Sequence, residues 1–133
     1  MEPRPGFEGR SPVSALPASL DHMLAVWNEH DPGKVRAHLD KALAADVVFA
    51  DPDNYVTGID DFEAMVHAFH AKVPNASSIR TSGYNTHNNR YRYQWLVSTG
   101  DTPLVKGMDV TEINADGKVC RVDGFFGPVP PKD

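Results

Sequence analysis

Apolar positions recur along this chain at two periods, and the period changes once. Leu20, Met23, Leu24 and Trp27 follow one another at helical spacing behind Ser19, a cap-type residue. Asp31-Pro32 stops that helix and, as a cap followed by a first-turn proline, opens a second with Val35, Leu39, Ala42 and Leu43 on its inner stripe. A strand is expected over 46–51, and a third helix opens at Asp60, carries Phe62, Met65, Val66 and Phe69, and ends near Val73-Pro74. After Pro74 the pattern alternates. Strands are expected over 77–86, 89–98, 104–113 and 118–126, with Asp116-Gly117 a strong hairpin signal and Gly100-Asp101 a weaker one.

Helices first and a strand meander last define an α+β domain: one curved antiparallel sheet with three N-terminal helices on its concave face. The 133 residues make one core. Residues 1–17, with four prolines and two glycines and no periodicity, are expected to be a flexible leader; 18–127 form the domain, and 128–133 a Pro-rich tail.

Composition narrows the classes. Thirteen basic against eighteen acidic residues leave a net charge of -5 with no basic run, which argues against a nucleic-acid binder. Cys120 is the single cysteine, so there is no intrachain disulfide, and no Cys/His set has zinc spacing. No membrane span or apolar leader is visible, and a reducing, cytoplasmic setting is expected. His67 and His70, three apart, lack both the HExxH pattern and a third ligand; both flank the apolar stripe, so exposed helix positions are expected and no metal.

Two acids attract chemistry. Alternation puts Val47, Phe49 and Asp51 on one face of their strand. A carboxylate sharing a face with Val and Phe is partly desolvated if that face looks inward, which would raise its pKa toward the range of a useful general base. Asp-Pro also ends strands for purely structural reasons, its side chain bonding to the next turn. On a later strand Val105, Gly107, Asp109, Thr111 and Ile113 share a face, and a two-residue Asp116-Gly117 loop sets Asp109 opposite Gly124, beside Val122 and Phe126. If Gly100-Asp101 is likewise a two-residue loop, Arg92 stands across from Asp109 with Gln94 on the same face, holding the acid ionised as an anchor or a structural ion pair. Tyr91, Tyr93 and Trp95 would then lie outside, where a second copy could cover them. A one-residue slip turns that aromatic row inward.

The segments WNEHDP, VVFADP with Gly58 beyond it, RYRYQW, GMDV and DGKVCRVDGFF, in this order and spacing, resemble the nuclear transport factor 2-like superfamily in its SnoaL-like polyketide-cyclase branch, over about 18–127. The resemblance implies a cone-shaped, cystatin-like roll with a pocket between sheet and helices, no cofactor, and a homodimer through the outer sheet face. Members include isomerases, cyclases, dehydratases, epoxide hydrolases and non-catalytic binding proteins. By resemblance to ketosteroid isomerases, Asp51 matches the base and Asp109 the protonated donor to the oxyanion. Their first-helix tyrosine has no counterpart in Ala25-Val26-Trp27, where Trp27 is either a donor through its indole N–H or core. The epoxide hydrolases' acid would fall at Gly124, and the adjacent Asp123 points to the other face, which disfavours that reaction.

The expected function is therefore a small-molecule pocket protein, a cofactor-free isomerase, cyclase or lyase acting on a small apolar carbonyl compound. Asp51, Asp109 and Arg92 would carry the chemistry, with Trp27, Phe49, Tyr55, Met65, Phe69, Gln94, Val122 and Phe126 around the substrate. The alternative is a non-catalytic ligand-binding or dimerisation module. In that case Asp51 terminates a strand and Arg92 pairs structurally with Asp109.

Overall fold

The computed structural model describes residues 16–133. Helix α1 (Ala18–Ala25) continues into one 3₁₀ turn (Val26–Asn28) and is followed by α2 (Pro32–Ala42), β1 (Leu43–Asp51), β2 (Asn54–Thr57), α3 (Ile59–Lys72), β3 (Ala76–His87), β4 (Arg90–Thr99), β5 (Thr102–Ile113) and β6 (Val119–Phe126). The strands form one curved, unclosed sheet in the order β2-β1-β6-β5-β4-β3, with the three helices against it. Every neighbouring pair is antiparallel except β1 and β6, which run parallel because the meander returns to β1 from its own direction.

Most elements form for the reasons the pattern suggests. The Asp31 side chain accepts from Gly33 N at 2.9 Å with Pro32 in the first turn, so α2 starts with an orphan N–H satisfied. Three expectations at the amino-terminal end change. Ser19 is buried inside α1 rather than capping it, the cap position being Pro17. Leu43 leaves the α2 stripe and opens β1, three residues earlier than the strand was expected. Of the leader expected over 1–17, residues 1–15 lie outside the described ones, while Leu16 is buried in the core. Strand β2, a short return after Asp51, carries too few residues to show a period.

The core lies between helices and sheet. Leu20, Met23, Val35, Leu39, Phe62 and Val66 come from the helices, and Val47, Tyr93, Thr111, Val119 and Val122 from the sheet, all fully buried. Phe62 is its aromatic hub, edge-on to Phe49 at 5.4 Å between ring centroids and 6.3 Å from Trp27. Asn28 joins the 3₁₀ turn to β3 by imitating a strand: its amide donates to Ser78 O and accepts from Ser78 N, both at 2.7 Å.

Register is decided by two bulges. The β5–β6 connection closes through Asn114, whose N–H donates to Lys118 O at 2.8 Å, making the loop one residue longer than Asp116-Gly117 alone. A compensating irregularity at Cys120 removes that residue again, and Asp109 pairs with Gly124 as the two-residue loop predicts. The β4–β5 connection is the two-residue loop expected, with Thr99 paired to Thr102, but Leu104 is then bulged out. Nothing compensates, so Tyr93, not Arg92, stands opposite Asp109. This overturns the favoured register. Tyr91, Tyr93 and Trp95 turn inward, so they are not an outer dimer face, and Arg92 and Gln94 turn outward.

Replacing Phe62 by Ala should cost about 3–5 kcal/mol, because it leaves a ring-sized void beneath Phe49 and Trp27. Urea unfolding of F62A against the parent measures this as a lowered midpoint at unchanged slope.

Candidate functional site

The sheet's inner face and the helices do not meet everywhere. Between them lies a cavity of about 510 Å³, with walls from Leu24 and Trp27 on one side, Phe49, Trp95, Val97, Val105 and Phe126 on the sheet, and Met65, Ala68, Phe69, Lys72 and Val73 on α3. Trp27 packs edge-on to Phe69 at 5.5 Å, and Phe126 edge-on to Trp95 at 5.9 Å, so the wall is mainly aromatic. Asp51, Asp53, Asn54, Ser78 and Asp109 are the polar groups that reach it apart from Lys72.

Asp51 and Asp109 come together because Gly124 lies between them. A Cβ on Gly124 would stand 2.8 Å from Asp109 Oδ1 and 3.3 Å from Asp51 Cβ, so a side chain there would occupy the space the two acids share. Asp109 enters from β5, directly opposite Gly124, and Asp51 from the last position of β1.

A second glycine seats the indole. Trp95 pairs with Gly107, two residues along β5 from Asp109. A Cβ on Gly107 would lie 2.7 Å from Trp95 Cζ2 and would collide with the Phe125 carbonyl. With no side chain there, the indole lies across the strand and its Nε1 donates to Asp109 Oδ1 at 2.9 Å. Tyr93, directly opposite Asp109, shares a hydrogen bond of 3.0 Å with the Thr111 hydroxyl, and its own phenol is held up mainly by burial and then by the Asp109 charge.

Asp109 is half-buried by surface area, yet protein surrounds it closely enough for desolvation to dominate. Its pKa is pushed up to about 7: loss of water raises it most, Trp95 donation lowers it, the nearby Asp51 charge raises it, and Tyr93 lowers it slightly. At neutral pH the residue thus holds a proton for much of the time. Trp95 engages Oδ1, and the Tyr93 hydroxyl is a second hydrogen-bond partner of the same carboxyl.

Asp51 serves the turn with one oxygen. Its Oδ1 accepts from Asp53 N at 2.9 Å and from Asn54 Nδ2 at 3.0 Å, the local turn bonding anticipated for Asp-Pro. Both bonds fall on the same atom, and among the described residues Oδ2 has no hydrogen-bond partner.

Of the residues expected around a substrate, Trp27, Phe49, Met65, Phe69 and Phe126 line the cavity. The others do not. Tyr55 sits on β2 at 70% exposure, Val122 is packed wholly within the core, and Gln94 is exposed on the outer face with its backbone N–H bonded to Ser82 Oγ. Arg92, expected to face Asp109, instead directs Nε and Nη2 to Asn85 Oδ1 at 3.2 and 2.6 Å on the outer face. It therefore has no part in the cavity. Trp95 is the important residue that the favoured register hid; its signal was the aromatic alternation of RYRYQW, which fits an inward face as well as an outward one. His67 pairs with Glu63 at 3.1 Å, and His70 Nε2 bonds the Val26 carbonyl at 2.8 Å, tying α3 to the 3₁₀ turn. Among the described residues no group of three or more His, Cys, Asp or Glu side chains is placed to hold a metal ion, and no helix is long and apolar enough to cross a membrane.

The raised pKa of Asp109 has a consequence for stability. The acid is protonated in both states below about pH 4; between there and about 7 the folded state holds a proton that the unfolded chain has lost. Stability from this site is therefore full at low pH and declines as pH rises through the folded value. Asp109→Asn removes the titration, so its melting temperature relative to the parent should rise from about pH 4 to about pH 7 and level off above it. A difference that stays level across this range would show that Asp109 titrates normally.

Comparison with known proteins agrees with this architecture. The sequence pattern of the SnoaL-like domain matches residues 20–122. No curated protein matches the chain. Among solved structures, a candidate isomerase of the SnoaL-like family from Agrobacterium tumefaciens superposes with a TM-score of 0.77 at 27% identity, covering 83% of this chain and 95% of that one. An NTF2-like protein of unknown function from Exiguobacterium superposes at 0.68 with 17% identity, covering 84% and 99%. A candidate polyketide cyclase from Sinorhizobium meliloti superposes at 0.64 with 17% identity, covering 82% and 94%.

Proposed function

Since this chain belongs to the SnoaL-like domain family, we propose that it is a cofactor-free isomerase that acts by enolising a small, largely apolar carbonyl compound, with Asp51 as base and Asp109 as hydrogen-bond donor. The observation that carries this reading is the division of labour at Gly124. Two carboxyl groups share one apolar cavity: Asp51 is held through Oδ1 alone, with no partner on Oδ2 among the described residues, and Asp109 is held by Trp95 and Tyr93 with its pKa raised to about 7. The reaction follows from that arrangement. Asp51 Oδ2 takes the proton from carbon next to the carbonyl, the C–H electron pair moves into the carbon framework, and negative charge appears on the carbonyl oxygen. Protonated Asp109 donates to that oxygen in a site where surrounding water is largely displaced, which strengthens the bond as charge develops. Return of the proton from Asp51 to a different carbon completes an isomerisation and restores the enzyme. Cyclisation and dehydration begin with the same abstraction. The likeness at 27% identity to a protein described as a candidate isomerase supports the first of the three.

Replacing Asp51 by Asn keeps an oxygen for the Asp53 and Asn54 donors but removes the base. Turnover of an isomerised ketone should fall by a factor of at least about a thousand while ligand affinity changes little. In the parent, kcat/KM should decline as pH rises through about 7, where Asp109 loses its donor proton, and Asp109→Asn should flatten that alkaline limb. Undiminished turnover in D51N would assign the cavity to binding alone.

Reversal of the β4 register also moves the expected partner surface. The outer face now carries Phe125 at 60% and Ile79 at 56% exposure, with Leu96 paired to Ile79 and Met108 paired to Phe125. We infer that a second copy covers these two diagonal apolar pairs, which lie beside Lys106 and Gln94 on the same face, since exposed apolar side chains on adjoining strands are poorly solvated. Phe125→Asp should shift the protein to half its mass by light scattering; an unchanged mass would rule out this face.

A further inference from the structure

The acids occupy only one end of the cavity, and the other end has its own chemistry. Along β5 the inward residues run Asp109, Gly107, Val105, so the row of Val105 lies about 13 Å from the row of Asp109. Val97 pairs with both Val105 and Ser78, which extends that far row across three strands. Lys72 belongs to the same end. It is the last residue of α3, followed by Val73, whose carbonyl accepts from Ala76 N at 3.1 Å at the start of β3, two residues before Ser78. Trp95 and Phe126 lie between the two ends.

Among the described lining residues Lys72 is the one basic side chain; it is solvent-exposed at the cavity rim and has no ion pair or hydrogen bond within the described chain. A lysine in the last turn of a helix is favourable without any ligand, because it faces the negative end of the helix dipole. That does not account for its place on a cavity wall. Nor do the helix's own acids use it: Asp60, Asp61 and Glu63 all lie at the opposite end of α3, where Arg36 takes Asp60 and Glu63 at 2.7 and 3.0 Å. The charge balance makes Lys72 more pointed. Asp51, Asp53 and Asp109 all border the cavity in a chain of net charge -5, so an anionic ligand would be repelled unless a local cation received it.

We propose that the ligand is an elongated apolar carbonyl compound bearing a carboxylate at the end remote from the carbonyl, and that Lys72 receives that carboxylate. The proposal rests on the reading that the carbonyl sits between Asp51 and Asp109. The aromatic middle then spans the carbon body, and the charged end points away from the acids that would repel it. Lys72 acts on specificity, not on the reacting atoms.

The test compares 4-acetylcinnamate with its methyl ester, two rigid probes of the same carbon frame in which one methyl group removes the terminal charge, by calorimetric titration into the full chain. The acid should bind about fivefold more tightly than the ester, the scale of a partly exposed ion pair, and less so at high salt. Lys72→Arg should keep the preference, Lys72→Met should erase it, and Lys72→Glu should reverse it, with ester affinity constant throughout. Equal affinity for the two probes, preference for the ester, no binding of either, or a preference that survives Lys72→Met would each overturn the proposal. Turnover by Asp51→Asn, set beside the acid preference, separates the two readings. If that variant turns over normally while the acid preference stands, the base assignment falls and the Lys72 assignment holds. If the preference is absent while Asp51→Asn loses turnover, the reverse follows.

Discussion

One hydrogen bond, from the Trp95 indole to Asp109 Oδ1, organises the candidate site. It requires a strand register that turns Trp95 inward, and a glycine opposite the indole so that the ring can lie across the neighbouring strand. Given both, it fixes Asp109 Oδ1 beside Gly124, in the space shared with Asp51. It also limits the rise in pKa that desolvation imposes, so that the acid changes state near neutrality rather than far above it. A buried acid without such a donor would stay protonated over a wider range, and a strongly paired one would stay ionised. The indole holds Asp109 between the two.

The cavity itself is a consequence of packing that stops short. Phe62 fills the centre of the molecule and brings Phe49 and Trp27 around it, while toward the open end of the sheet the aromatic side chains form walls with space between them. Gly107 and Gly124 contribute by absence. At each, a methyl group would occupy volume now used by the indole or shared by the two acids. Core and pocket are therefore continuous, and the same aromatic residues stabilise the fold and bound the space a ligand would enter.

Asp51 shows how a structural role and a chemical one coexist in one side chain. Its Oδ1 closes the turn between β1 and β2 through Asp53 N and Asn54 Nδ2. That bonding pins the carboxyl plane and aims the other oxygen. A strand-terminating Asp-Pro and a positioned base make the same local demand, which is why neither can be told from the other by inspecting the turn alone.

The alternation of apolar residues, the Asp31-Pro32 cap and the hairpin glycine determined the α+β order of elements and the inward faces of β1 and β5; the expected approach of Asp109 to Gly124 was met only through the compensating irregularity at Cys120. Order and faces are short-range matters, set by side-chain periods of two and 3.6 residues and by turn chemistry. The β4–β5 register was of another kind. Arg92 and Trp95 exchange faces on the insertion of one residue, and nothing local to Leu104 announces that it bulges; the bulge goes with burial of Tyr93 in the core and the seating of the Trp95 indole over Gly107. The short β2 was missed because four residues are too few to show a period. That two acids, two glycines and an indole meet around one hollow depends on pairings between strands far apart in the chain, and such pairings are chosen by the packing of the whole core.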